Sequence, residues 1–154
     1  MIIALAEAEA AKKRGEVPVG AVIVDRSGLT LARAGNRTLE RRDPTAHAEM
    51  LAIREAAAAI GSERLEGCDL YVTLEPCAMC TAAVSFARLR RLYFGASDSK
   101  MGAVENGPRL FAQATCHHHP EVYGGIGARA SELMLKEFFR ARRQSARATS
   151  GRVP

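Results

Sequence analysis

Two short segments limit the folds open to this chain: Thr45-Ala46-His47-Ala48-Glu49 and, about thirty residues later, Glu75-Pro76-Cys77-Ala78-Met79-Cys80. Each stands at a predicted helix start. Cysteines three apart on a helix share one face, so Cys77 and Cys80 can grip one ion together. A helix N-terminus also favours the thiolate form that binds metal. His47, from the neighbouring helix start, can supply a third ligand. No second Cys-x-x-Cys completes a closed four-ligand site, and three protein ligands leave a position for water, as in catalytic zinc centres. One Zn2+ per chain is therefore the expected cofactor. Glu49, two residues after His47, would point elsewhere in mid-helix. In a first turn both side chains can reach around one pocket, where Glu49 would move protons. A lone Cys-x-x-Cys could be a redox pair or coincidence; its conjunction with His-x-Glu carries the metal reading.

The rest of the chain reads as alternating helices and strands. Residues 2–14 are rich in Ala, Glu and Lys and end at Gly15, which predicts a helix. Val19 to Val24, the turn Asp25-Arg26-Ser27-Gly28, and Leu29 to Asn36 predict a hairpin. Asp43-Pro44-Thr45 marks a helix start, with the body from Ala46 to Ile60 closed by Gly61. A strand at Leu70–Leu74, a helix from Pro76 to Ala87 and a strand at Arg91–Gly95 follow. Residues 96–120 read as a long loop, Val122 and Tyr123 as a short strand, and Ser131–Arg143 as a last helix. A hairpin followed by strand-helix-strand alternation implies a three-layer α/β/α fold with a mixed sheet of about five strands. One domain over 1–144 is expected, with 145–154 a basic, disordered tail.

Composition narrows the core and the location. Aromatic residues make up 5% of the chain and Trp is absent, so Ala, Val, Leu and Ile must build the interior. No apolar run is long enough for a membrane span. Glu7 and Glu9 precede the basic Lys12, Lys13 and Arg14, the wrong order for a secretory signal, so a cytoplasmic location is expected. The formal charge is +5, and Arg140, Arg142 and Arg143 follow the last acid, Glu137. Such a run either tracks phosphates or is a solvated helix end favoured by the dipole. Cys68 and Cys116 read as small buried apolar residues, and His117-His118-His119 as a surface tract.

With these motifs the chain resembles the cytidine deaminase superfamily, and within it the bacterial tRNA-specific adenosine deaminases. Val17-Pro18-Val19-Gly20-Ala21-Val22, Gly35-Asn36-Arg37, the segments around His47 and Cys77, and Phe138-Phe139-Arg140 carry the likeness over most of the chain. The resemblance implies zinc ligands at His47, Cys77 and Cys80 and a proton shuttle at Glu49. It implies hydrolytic conversion of the wobble adenosine of a tRNA anticodon stem-loop to inosine, and a homodimer. It also places a purine-contacting asparagine at Asn36 and an acidic residue near the RNA at Asp98. Asn36 has a plain alternative as a strand-end turn residue, and Asp98 as a loop residue capping its own backbone. Residues 103–120 depart from the family pattern. Two rival functions stay open: a deaminase of a free small base such as guanine, and a non-catalytic zinc subunit binding RNA or a protein partner.

Overall fold

A computed structural model of the chain describes residues 1–150. Its elements are α1 (Ile2–Lys13), β1 (Gly20–Val24), β2 (Thr30–Gly35), α2 (Thr38–Arg41), α3 (Ala48–Ile60), β3 (Asp69–Leu74), α4 (Ala78–Phe86), β4 (Arg91–Ala96), β5 (Glu121–Tyr123) and α5 (Ala128–Ser150). A single 3-10 turn, Leu110–Ala112, interrupts the loop between β4 and β5. The five strands form one mixed sheet ordered β2-β1-β3-β4-β5. β1 runs antiparallel to β2 and β3, whereas β3, β4 and β5 are parallel. α1 and α5 pack on one face and α3, beside α4, on the other. The expected three-layer α/β/α arrangement is the observed one.

The scarcity of large side chains explains how the layers meet. On the α3 side, Ala21, Ile23, Leu70, Val72, Leu92 and Phe94 join Leu51, Ala52, Ala56 and Val84 in one buried core. On the other side α1 buries only Ala4, Ala8 and Ala11, a stripe at helical spacing. Opposite them Gly35, Gly20, Thr73 and Gly95 lie in register across four strands. A methyl group on Gly20 would collide with the Ala4 carbonyl and the Ala8 amide. The helix backbone thus rests almost directly on the strand. Glycine here permits close approach of two backbones.

Helix bounds differ from expectation at several points, among them the starts of α4 and α5, and three differences have a clear tertiary or local reason. α3 begins at Ala48 rather than Ala46. The Ala46 carbonyl accepts the Arg37 amide at 3.0 Å, which keeps that residue extended. Asp43 spends its carboxylate on the Thr45 amide and hydroxyl, at 2.8 and 2.7 Å, instead of capping a helix. The one-turn helix α2 was not expected; the buried Glu16 carboxylate caps it through the Leu39 and Glu40 amides, both at 2.9 Å. Residues 145–150, expected to be disordered, continue α5, in keeping with the good helix propensity of Ala, Arg and Gln; residues 151–154 lie outside the described part. Among the described residues no helix is long and apolar enough to cross a membrane.

Gly20→Ala should test the contact between α1 and the sheet. Because backbone atoms must give way, we expect a loss of about 1–3 kcal/mol. Urea unfolding should show a lower midpoint with an unchanged slope.

Candidate metal centre and active site

The site lies where the parallel strands β3 and β4 end, the usual ligand position in open α/β sheets. β3 runs directly into Glu75-Pro76-Cys77 and β4 into Ser97 and Asp98. His47 and Cys77 are the N-caps of α3 and α4, both in extended conformation and neither using its side chain as a cap. Their side chains turn instead toward each other. His47 Nδ1 lies 3.7 Å from Cys77 Sγ and 3.6 Å from Cys80 Sγ. All three ligand atoms lie within 4.8 Å of one another. Tetrahedral zinc with ordinary Zn–S and Zn–N bonds requires an S to N edge of about 3.6 Å. The donor set and spacing therefore fit zinc, with the fourth vertex left to a non-protein ligand.

Charge in the cradle follows from the same packing. The Cys77 thiolate is held down to about 4 by hydrogen bonds first from Cys80 and then from His47, against the penalty of burial. Cys80 is pushed up, by Cys77 and then by burial. His47 is raised by its hydrogen bond to Cys77. Glu49, in the first turn of α3 and 4% exposed, is pushed up to about 7, chiefly by burial. A carboxyl near neutrality can both take and return a proton. A bound dication would favour its charged form.

Around the cradle is a cavity of about 650 Å³, walled by Val17, Asn36, Thr38, Leu74, Asp98 and, from α5, Leu135, Lys136, Phe139 and Arg143. Glu49, His47 and Cys77 also line it. Asn36 is both a capping residue and part of the cavity wall. Its Oδ1 accepts the Ala48 amide at 3.1 Å, capping α3, so its amide nitrogen is the end that can donate into the cavity. Asp98 likewise caps its own turn, accepting the Lys100 and Met101 amides at 2.9 and 3.1 Å, while lining the wall. Of the three arginines, Arg143 reaches the cavity; Arg140 and Arg142 are solvent-exposed and do not line it. The Arg142 guanidinium lies over the Phe138 ring, 5.5 Å from its centroid.

Lys136 and Phe139 were missed in the sequence. They lie on the helical face of Arg143, seven and four residues before it, a spacing that becomes informative once Arg143 is placed. Cys68 is buried in the core as expected. Cys116 is only half-buried and faces the Ser85 hydroxyl at 3.4 Å and the His118 carbonyl at 3.2 Å. His118 Nε2 lies 2.7 Å from the Leu89 carbonyl, and His117 and His119 are exposed, matching the surface reading of that tract.

Comparison with known proteins agrees with this geometry. The cytidine and deoxycytidylate deaminase zinc-binding region matches residues 1–96. The chain is 59% identical over 143 residues to a tRNA-specific adenosine deaminase of Agrobacterium fabrum, covering 93% of each chain. A Bacillus subtilis protein of the same name is 43% identical over 145 residues, covering 94% of this chain and 89% of the relative. A structure from studies of A-to-I editing by tRNA:A34 deaminases superposes with a TM-score of 0.86 at 59% identity, covering 88% of this chain and 97% of the other. A guanine deaminase from Nitrosomonas europaea gives 0.71 at 25% identity, covering 88% and 80%.

Purified protein should carry about one zinc per chain, and Cys77→Ala or Cys80→Ala should lose it. Removing the ion by chelation should lower Tm, because metal bound only to the native state stabilises it. Elemental analysis finding full zinc in both variants would overturn the ligand assignment.

Proposed function

The chain belongs to the zinc-binding cytidine and deoxycytidylate deaminase family, within its tRNA-specific adenosine deaminase branch, and on that footing we propose that it converts the wobble adenosine of a tRNA anticodon loop to inosine. The observation that carries this reading is the 59% identity to a tRNA-specific adenosine deaminase across 93% of both chains. The cavity supports it: a proton carrier, a three-ligand cradle and a cationic helix wall meet in one space.

The mechanism follows from where the side chains stand. The target base leaves the loop, where unstacking costs less than from a duplex, and enters with C6 over the cradle. The Asn36 amide nitrogen donates to the purine and fixes its plane. Zinc, when bound, supplies positive charge for the developing oxyanion and eases loss of a proton from water. Glu49 takes one proton from the attacking water and gives it to N1 as the oxygen bonds to C6. It then takes the second proton from that oxygen and delivers it to the amino group as the C6–N bond breaks, releasing ammonia and leaving the C6 carbonyl. Walls of Val17, Leu74 and Phe139 exclude bulk water from that exchange. Lys136 and Arg143 meet the phosphates flanking the base, and Arg140 and Arg142 those farther along the stem. Their contribution is salt-dependent affinity rather than base choice. We further propose a cytoplasmic location and a homodimer. The guanine deaminase reading keeps the same centre but leaves the basic wall without a role.

Two experiments test the proposal. Glu49→Gln keeps the shape but removes the base, so zinc should stay at about one per chain while turnover falls on the order of 10³-fold. Near-normal turnover would show that Glu49 does not carry the proton. Separately, wild type and the triple variant Arg140→Ala, Arg142→Ala, Arg143→Ala are compared on an anticodon stem-loop and on guanine across a salt series. We expect the variant to show a raised KM on RNA, with the log–log salt slope reduced by up to about one unit per lost phosphate contact. Its kcat at saturation should change little, because uniform binding is what is lost. Coincident RNA curves with efficient guanine turnover by both proteins would replace the tRNA reading with the small-base one.

A further inference from the structure

Glu75 precedes Pro76 and Cys77, is 2% exposed, and forms no ion pair among the described residues. A buried carboxylate without a cation must be satisfied by hydrogen bonds alone, and here every partner is a donor. Oε1 accepts the successive amides of Val104, Glu105 and Asn106, at 3.2, 2.8 and 2.9 Å. Oε2 accepts the Asp98 amide at 2.9 Å, the Asn106 side-chain amide at 2.6 Å and the Ser97 hydroxyl at 3.4 Å. Three consecutive N–H groups converging on one oxygen form an anion nest. Gly102 is shaped by the same contact: a methyl group there would come within 2.5 Å of Glu75 Cδ.

The segment that wraps the carboxylate is also stitched to the metal loop. The Ala103 amide donates to the Pro76 carbonyl at 2.9 Å, and Cys77 and Gly102 form an isolated β-bridge. Its outer part, through Ser97, Asp98, Lys100 and Met101, is one wall of the cavity. That wall has no helix or strand of its own; the Asp98 side chain closes its turn, and its Ser97 hydroxyl and Asp98 amide anchor it to Glu75.

We propose that Glu75 is a positioning residue for substrate: its buried carboxylate is the hub on which residues 97–106 fold, and through it the pocket wall bearing Asp98 is held in register with the metal cradle. This rests on the cavity being the substrate site, whichever base enters it. Glutamine cannot replace it, because one acceptor becomes an amide nitrogen facing donors on that side. The cradle's own ligands are untouched by that change, so the consequence falls on substrate capture rather than on the metal.

The test compares wild type, Glu75→Gln and the milder Asn106→Ala, which removes one half-buried side-chain donor of the same hub and its bonds to Glu75 and Ser97. Kinetics are read on whichever of the anticodon stem-loop and guanine the wild type deaminates. The wild type's choice judges the tRNA reading, while the variants judge this one. We expect zinc at about one per chain in all three proteins. In Glu75→Gln we expect KM to rise about tenfold with kcat within about threefold, as for lost binding, and a smaller rise in Asn106→Ala. Amides of residues 98–106 should exchange on the order of tenfold faster, with those of α3 unaltered. An unchanged KM, a kcat loss larger than the KM change, or loss of zinc from a folded variant overturns the proposal. If Glu75→Gln does not fold, Asn106→Ala alone decides.

Discussion

Two helix N-termini are made to meet at the carboxyl ends of two parallel strands, and most of the molecule is arranged around that meeting. Each N-terminus leaves amide groups without intrahelical partners and a partial positive charge. Here the two cap positions, His47 and Cys77, turn their side chains to each other rather than back onto their own helices. The unpaired amides are then served from elsewhere, as when Asn36 caps α3 from the end of β2. Because Asn36 is thereby fixed, one residue joins helix capping to the cavity wall.

The loops that frame the site follow a common rule. The segments after β2 and β4 add few apolar groups to the main core: Ala46 from the first, and Val104 with the partly buried Phe111 from the second. Each is instead organised by a buried carboxylate from a different part of the chain. Glu16 gathers the amides of Leu39 and Glu40, and Glu75 gathers those of Asp98, Val104, Glu105 and Asn106. For Glu75, burial alone would raise the carboxyl, but these hydrogen bonds prevail and hold it below the usual carboxylate range. Charge-assisted bonds of this kind are directional, so they fix loop geometry where packing by small side chains cannot.

Much of this was legible in the sequence because the signals were local. The alternation of β-branched runs and Ala-rich helices located all five strands to within one residue at each end. The His-x-Glu and Pro-Cys-x-x-Cys spacings depend only on which residues share a helical turn, so the cradle and the buried acid beside it could be read directly. What was misread lay where a distant group overrode a local preference. Asp43 resembles a helix cap, yet Arg37 holds Ala46 extended and delays α3 by two residues. The basic end was read as disordered from its polarity, whereas its helix propensity continues α5 to Ser150.

By itself the sequence determined the α/β/α layering and which side chains meet in the cradle, His47, Cys77 and Cys80 with Glu49 beside them, since each follows from periodicity or from spacing within a short local segment. Only the tertiary structure decided what surrounds them. It selected Arg143 rather than Arg140 or Arg142 for the cavity wall, because the rotation of α5 against the sheet is set by packing and not by sequence spacing. It also made Glu75 a hub, because a carboxylate declares its partners only when segments about thirty residues apart are brought within hydrogen-bonding distance of it.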